Sequence, residues 1–255
     1  MRLNKLFVGV AAITAAALAG VAQATVYDVR TDWNGANPDG VWSFRQGTSA
    51  VTNVVNNWQG LGVNAFAPSA NGGNFLPAYF QANATGANTP NCGGACDWAV
   101  GDLIVHTTDG ANGIGEGAAN VLFTTPSAGF ADISGLTWSA RLLNRTQDWA
   151  LLVNGVTLAS GSLPGDGSNG SANPDSFSFS HIALGVGDQV ELLMTQATGA
   201  PFGDFVGYDV TVSLTPNTAP PPGVPEPATW ALMMMGFGGL GASLRHNRRR
   251  AALAA

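Results

Sequence analysis

Lysine is absent between residues 25 and 224 of this chain, where only Arg30, Arg45, Arg141 and Arg145 stand against fifteen acidic residues, a net charge near −11. A surface so poor in positive charge cannot neutralise a row of phosphates, which excludes nucleic acid as a partner. The same interval holds two histidines, His106 and His181, two glutamates, Glu116 and Glu191, and no GxSxG elbow, so catalysis finds little footing. Glu191 and the aspartates can in principle supply a glycosidase pair, but nothing in the sequence fixes two of them in one place. Long runs of helix-forming residues are also missing, which argues against amphipathic helices.

Cysteine is nearly absent. Cys92 and Cys96 are the only two, in NCGGACDW. Outside the cytoplasm such a pair makes a disulfide, and Gly93 and Gly94 give the loop freedom to close. Metal binding would need two further ligands, and redox catalysis favours a two-residue spacing over this three-residue one. A structural disulfide beside Trp98 is therefore expected.

What is abundant is Gly, Asn, Ser and Thr, with short alternating apolar and polar runs between turn residues, the signature of strands. Strands are expected at 26–33, 40–45, 75–80, 102–107, 120–125, 129–144, 149–153, 156–159, 176–184, 189–196 and 205–214. Asn154-Gly155 is a two-residue hairpin turn, because both positions of such a turn need positive φ. The stretch 53–97 reads as irregular outside 75–80. The expected fold is all-β, a single jelly-roll-like β-sandwich over 25–214, followed by a stiff proline-rich spacer, TPNTAPPPG, at 215–223.

Both ends read as addresses. Arg2 and Lys5, the apolar stretch 6–19 and the small-x-small Ala22-Gln23-Ala24 make a signal peptide cut after Ala24, the alternative being an uncleaved anchor. The tail at 224–250 reads VPEPATWALMMMGFGGLGASLRHNRRR. Its uncharged run, 228–244, would reach about 25 Å as a helix, barely enough to span a bilayer. Trp230 at one end and Arg245, Arg248, Arg249 and Arg250 at the other give a transmembrane helix with its C-terminus cytoplasmic.

Pro225, Glu226, Pro227 and Trp230, with that apolar run and the arginines, closely resemble the PEP-CTERM sorting signal, a tail also catalogued as an ice-binding protein C-terminal domain. The resemblance implies processing by an exosortase in a Gram-negative bacterium that makes exopolysaccharide, with signal peptidase acting at the other end. It implies nothing about ice.

The body carries a second resemblance. PDGVWSF (38–44), HTTDG (106–110), VLFTTPSAGFADISG (121–135), LLVNGVTL (151–158), GVGDQVELLM (185–194) and YDVTVSL (208–214) are similar to secreted bacterial jelly-roll domains that look like carbohydrate-binding modules. Leu122 stands where that family has arginine, and Thr107 follows His106 where it has proline, so the resemblance implies the fold and not a binding residue.

A flat exposed indole stacks on the apolar face of a sugar. Trp138 alternates with Leu136, Ala140 and Leu142, and Trp42 shares a face with Phe44, so both are expected to point inward. Trp98 and Trp33, among polar residues, are the candidates for ligand binding. Asp109, Asn112 and Glu116 in DGANGIGEG are candidate calcium ligands, as is the loop at 166–175, although such clusters are also ordinary turn chemistry. No other cofactor is expected. The sequence thus points to an exported, non-enzymatic surface or matrix protein. It leaves open a glycan-binding module, a structural matrix protein without a specific ligand and, more distantly, a glycan hydrolase.

Overall fold

Alternation with a period of two dictates the architecture. In the computed structural model, which describes residues 23–69, 76–108, 118–200, 202–217 and 227–252, the expected runs fold as antiparallel strands. In chain order these are β1 (Thr25–Asp28), β2 (Trp42–Gln46), β3 (Ser49–Ala50), β4 (Asn53–Val55), β5 (Ala65–Ala67), β6 (Ala78–Gln81) and β7 (Leu103–His106). There follow β8 (Ala119–Thr124), β9 (Gly129–Ser139), β10 (Gln147–Val153), β11 (Val156–Leu163), β12 (Asp175–Leu184), β13 (Gln189–Gln196) and β14 (Phe205–Pro216). Eight form one sheet, β12-β9-β14-β7-β6-β5-β4 with β1 also pairing β14, and six form the other, β11-β10-β13-β8-β2-β3. Asn154 and Gly155 take φ of 50° and 78° and turn β10 into β11, as the sequence requires.

The two sheets make a β-sandwich. Val206, Tyr208, Val210, Val212 and Leu214, every second residue of β14, meet Trp42, Phe44, Val121, Phe123, Val190 and Leu192 of the other sheet in a buried core. The Tyr79 hydroxyl crosses this core, donating to the Arg45 carbonyl at 2.6 Å with the Asn120 carbonyl at 3.1 Å. Buried without such a partner, the hydroxyl would cost stability; here it ties one sheet to the other.

A second core lies on the opposite face of the eight-stranded sheet. Ala65, Ala67, Ala78, Phe80, Ile104, Trp138 and Phe205 point away from the sandwich and are covered by the irregular chain that carries Trp58, Leu61, Val63, Cys92, Cys96 and Trp98. The sequence reading of 53–97 as irregular missed β4 and β5, short strands at the sheet's end. Cys92 and Cys96 form the expected disulfide, with Cα atoms 5.6 Å apart.

The chain divides into two units, Gln23–Asn217 and one that includes the helix α1 (Pro227–Ala252). Here the expectation of a transmembrane helix at 228–244 needs correction. The segment is helical, but among the described residues no helix is long and apolar enough to cross a membrane. The apolar run is short, is diluted by Gly236, Gly238, Gly239 and Gly241, and is followed at once by arginines.

Candidate functional site

Where the second core's cover ends, the outer face of the eight-stranded sheet lies open. Register sets what is found there. Across β14 and β9, Gly207 stands opposite Trp138, Asp209 opposite Leu136, and Thr211 opposite Ser134. Gly207 lets the indole of Trp138 lie flat over the neighbouring strand, since a Cβ there would come within 2.0 Å of the ring. The indole N–H donates to the Asp97 carbonyl at 3.0 Å, which fixes the ring under the cover.

Beyond that ring are two adjoining depressions. The first, about 160 Å³, is lined by Arg30, Asp102, Leu136, Trp138, Ser171, Pro174, Tyr208 and Asp209. The second, about 380 Å³, is lined by Ser134, Gly135, Ser176, Phe177, Ser178 and Thr211, and again by Leu136 and Asp209. Leu136 and Asp209 line both, so the two adjoin along one groove of the sheet face. A wall of it is held by the Asp97 carboxylate, which accepts from the Ser171 backbone N–H at 2.7 Å and its hydroxyl at 2.5 Å.

The groove's charges are unequally satisfied. Arg30 pairs with Asp102 at 3.1 Å, and Asp102 also accepts the Ala99 N–H at 2.7 Å. Asp28 accepts the N–H groups of Arg30 and Thr31 and the hydroxyl of Thr211. Asp209 differs, since its Oδ1 is buried with no hydrogen-bond partner. Burial, above all, pushes its carboxyl above the usual range, Asp28 and to a lesser degree Asp102 add to this, and Arg30 opposes it. A carboxylate beside an apolar strip and a row of hydroxyls can hold a molecule rich in hydroxyl groups. A depression on the six-stranded sheet, lined by Asp148, Ser160, Ser162, Leu193 and Thr195 among others, lacks this feature, because Asp148 is satisfied by the Ser162 hydroxyl at 2.5 Å.

Most residues singled out from sequence lie elsewhere. Trp98 is a correction: it is 5% exposed, packed edge-on against Phe80 and Phe205, because the disulfide segment folds back over the sheet. Trp33 is half-buried against Phe44 and Phe66. Trp42 and Phe44 point into the sandwich as expected, whereas Trp138 is buried on the outer face, alongside an exposed Leu136.

Asp109, Asn112 and Glu116 lie outside the described residues, as do Ala22, Pro225 and Glu226; among the described residues no group of three or more His, Cys, Asp or Glu is placed to hold a metal. In the loop at 166–175, Asp166 accepts from Ser168, and Asp175 accepts from Trp149 and Asn169. Bonds within the loop and one from β10 therefore engage both Asp175 oxygens and Oδ1 of Asp166. His106 Nδ1 lies 2.9 Å from the Thr107 carbonyl, and His181 stacks on Phe130 with ring centres 4.1 Å apart. Trp230, on α1, is 49% exposed.

The groove residues Arg30, Asp102, Leu136, Ser171 and Asp209 were not singled out by sequence. The available signal was the polar alternation Asp209, Thr211, Ser213, which marks an outward face of β14 without saying what it meets.

Against known proteins, the tail at 223–250 matches the family profile of the PEP-CTERM protein-sorting motif. The chain therefore carries a sorting motif over those residues. No curated protein matches the chain. Among solved structures it is similar to the C-terminal CBM6 of LamC, a marine laminarinase from Zobellia galactanivorans, at 14% identity over 44% of this chain and 79% of that one, TM-score 0.26. It is similar also to the CBM36-1 domain of a xylanase from the hindgut metagenome of Trinervitermes trinervoides, at 16% identity over 48% and 91%, TM-score 0.27. A family 35 carbohydrate-binding module from Clostridium thermocellum is 14% identical over 55% and 89%, TM-score 0.30. Likeness at this level says nothing of a ligand; the sandwich rests on its own strand pairing.

Proposed function

We propose that this is an exported protein, processed after Ala24 and sorted by an exosortase through its tail, whose β-sandwich holds a glycan on the outer face of the eight-stranded sheet. In this reading residues 1–24 are the signal peptide, 25–214 the sandwich, 215–223 a spacer and 224–250 the sorting signal. Cleavage after Ala24 leaves β1 intact, since that strand begins at Thr25. The observation that carries the glycan reading is the pair of adjoining depressions that share Asp209 and Leu136, where apolar Leu136 and Pro174 stand among the hydroxyls of Ser134, Ser171, Ser176, Ser178 and Thr211. Sugars present this same combination of C–H faces and hydroxyl donors.

Binding is favoured over hydrolysis. Glycoside cleavage takes two carboxyl groups in complementary roles. Asp102 lines the groove but is committed to Arg30 and to the Ala99 N–H. Asp28, which acts on Asp209 without lining either depression, is taken up by the N–H groups of Arg30 and Thr31 and the Thr211 hydroxyl, so Asp209 has no second uncommitted carboxyl beside it.

Affinity electrophoresis of the full-length protein through gels containing different polysaccharides, including exopolysaccharide of the native host, tests this. Retardation by at least one polysaccharide is expected, and Leu136→Asp is expected to abolish it while leaving the fold intact, because Leu136 is 39% exposed. Unretarded migration in every gel would remove the glycan reading and leave a structural matrix protein.

A further inference from the structure

Asp209 belongs to both depressions, and little around it neutralises its charge. Arg30, the guanidinium that lines the groove, is ion-paired with Asp102. From the end of β1, Asp28 adds a further negative charge, and no lysine occurs anywhere between residues 25 and 224. Three carboxylates thus meet one arginine. A neutral saccharide can donate hydroxyls to this groove but leaves the charge in place, and an acidic one is repelled. An ammonium group makes a charge-assisted hydrogen bond and removes the repulsion together.

We propose that the groove takes an amino saccharide, an oligosaccharide with at least one free amine, whose ammonium sits against Asp209 while a ring face lies on Leu136 and Pro174. Asp209 and Leu136 line both depressions, so a ligand that fills the two extends over more than one ring with its amine between the ends. Ser134, Ser176 and Thr211 meet its hydroxyls on the second side. The inference rests on the glycan reading above and specifies which glycans.

The test uses two ligands that share a backbone, short glucosamine oligomers and their fully N-acetylated counterparts, titrated calorimetrically into the full-length protein at neutral pH, which stays above a carboxyl raised by burial while the sugar amine is still in part protonated. The glucosamine oligomer is expected to bind about tenfold more tightly, and Asp209→Asn, which keeps the shape and removes the charge, is expected to erase that difference. Asp148→Asn on the other sheet removes an equal charge and is expected to change nothing. Equal binding of both oligomers, lost with Leu136→Asp, would overturn the amine inference and keep the glycan reading. An equal loss in Asp148→Asn would overturn it as bulk attraction to an acidic protein. Binding of neither oligomer would also overturn it, while electrophoresis against other polysaccharides decides the glycan reading separately.

Discussion

Phe123 and Trp58 are equally hidden, at 0% and 1% exposure, yet they are buried by different means. Phe123 sits on β8 between two strands and packs against Tyr27 and Trp42; its place follows from alternation and is shared with residues from both sheets. Trp58 opens a single kinked 3-10 turn, Trp58–Gly60, in otherwise irregular chain and packs against Phe80, His106 and Phe205. No ladder runs through most of that cover. Its order comes from aromatic contacts, one disulfide and a few bridging bonds, such as Asp97 N–H to the Ala140 carbonyl at 2.9 Å. The sandwich core holds the fold, and the second core shapes the groove's wall.

That contrast can be broken at three points. Phe123→Ala is expected to cost about 3–5 kcal/mol in denaturant unfolding, in one global transition, because the cavity opens in the ladder-supported core. A loss below about 1 kcal/mol would show that the second core carries more of the fold than its irregular cover implies.

The second point is Asp204, whose carboxyl burial holds up at about 6 against the Phe205 N–H, Arg141 and Arg145, and whose Oδ2 has no partner. It adjoins Phe205, at the centre of the second core. Between the ordinary value of 3.8 and about 6 the folded chain binds a proton that the unfolded chain has released. Stability therefore falls as pH rises through that window, by roughly 3 kcal/mol, and changes no further above it. Thermal unfolding of Asp204→Asn across the same pH range should show this slope removed; an unchanged slope would assign it to another group.

The smallest effect is expected from Cys92→Ser with Cys96→Ser. A ring this short contributes about 2 kcal/mol. Amide exchange should quicken at residues 83–101 and stay slow in β8 and β13. Uniform quickening would mean that the two cores unfold as one.

The same contrast separates what the sequence discloses from what it withholds. Alternation placed Trp42 and Phe44 correctly, and Asn154-Gly155 announced its hairpin, because both are local effects. For Trp138 alternation gave the right company and the wrong side. Period two says that Leu136, Trp138 and Ala140 share a face, but only the non-periodic chain around Trp98 decides that Trp138 and Ala140 are covered and Leu136 is not. Trp98 looked exposed beside Asp97, whose carboxylate in fact reaches Ser171, 74 positions further along the chain. The groove was illegible for a similar reason: Arg30, Asp102 and Asp209 are each ordinary polar positions until three separate segments bring them together.

The pairing of β14 has a mechanical consequence. Residues from Val206 to Pro216 are hydrogen-bonded to β9 along one side, and β7 and β1 share the other. A pull applied at Asn217 enters the domain through a central strand and runs along its axis. Antiparallel bonds lie perpendicular to that axis, so they share the load in shear and do not open one after another. Asp209 is on this strand and Leu136 on its neighbour. A load passed between the groove and Asn217 is therefore borne by β14 and the strands paired with it, without passing through the disulfide-held cover.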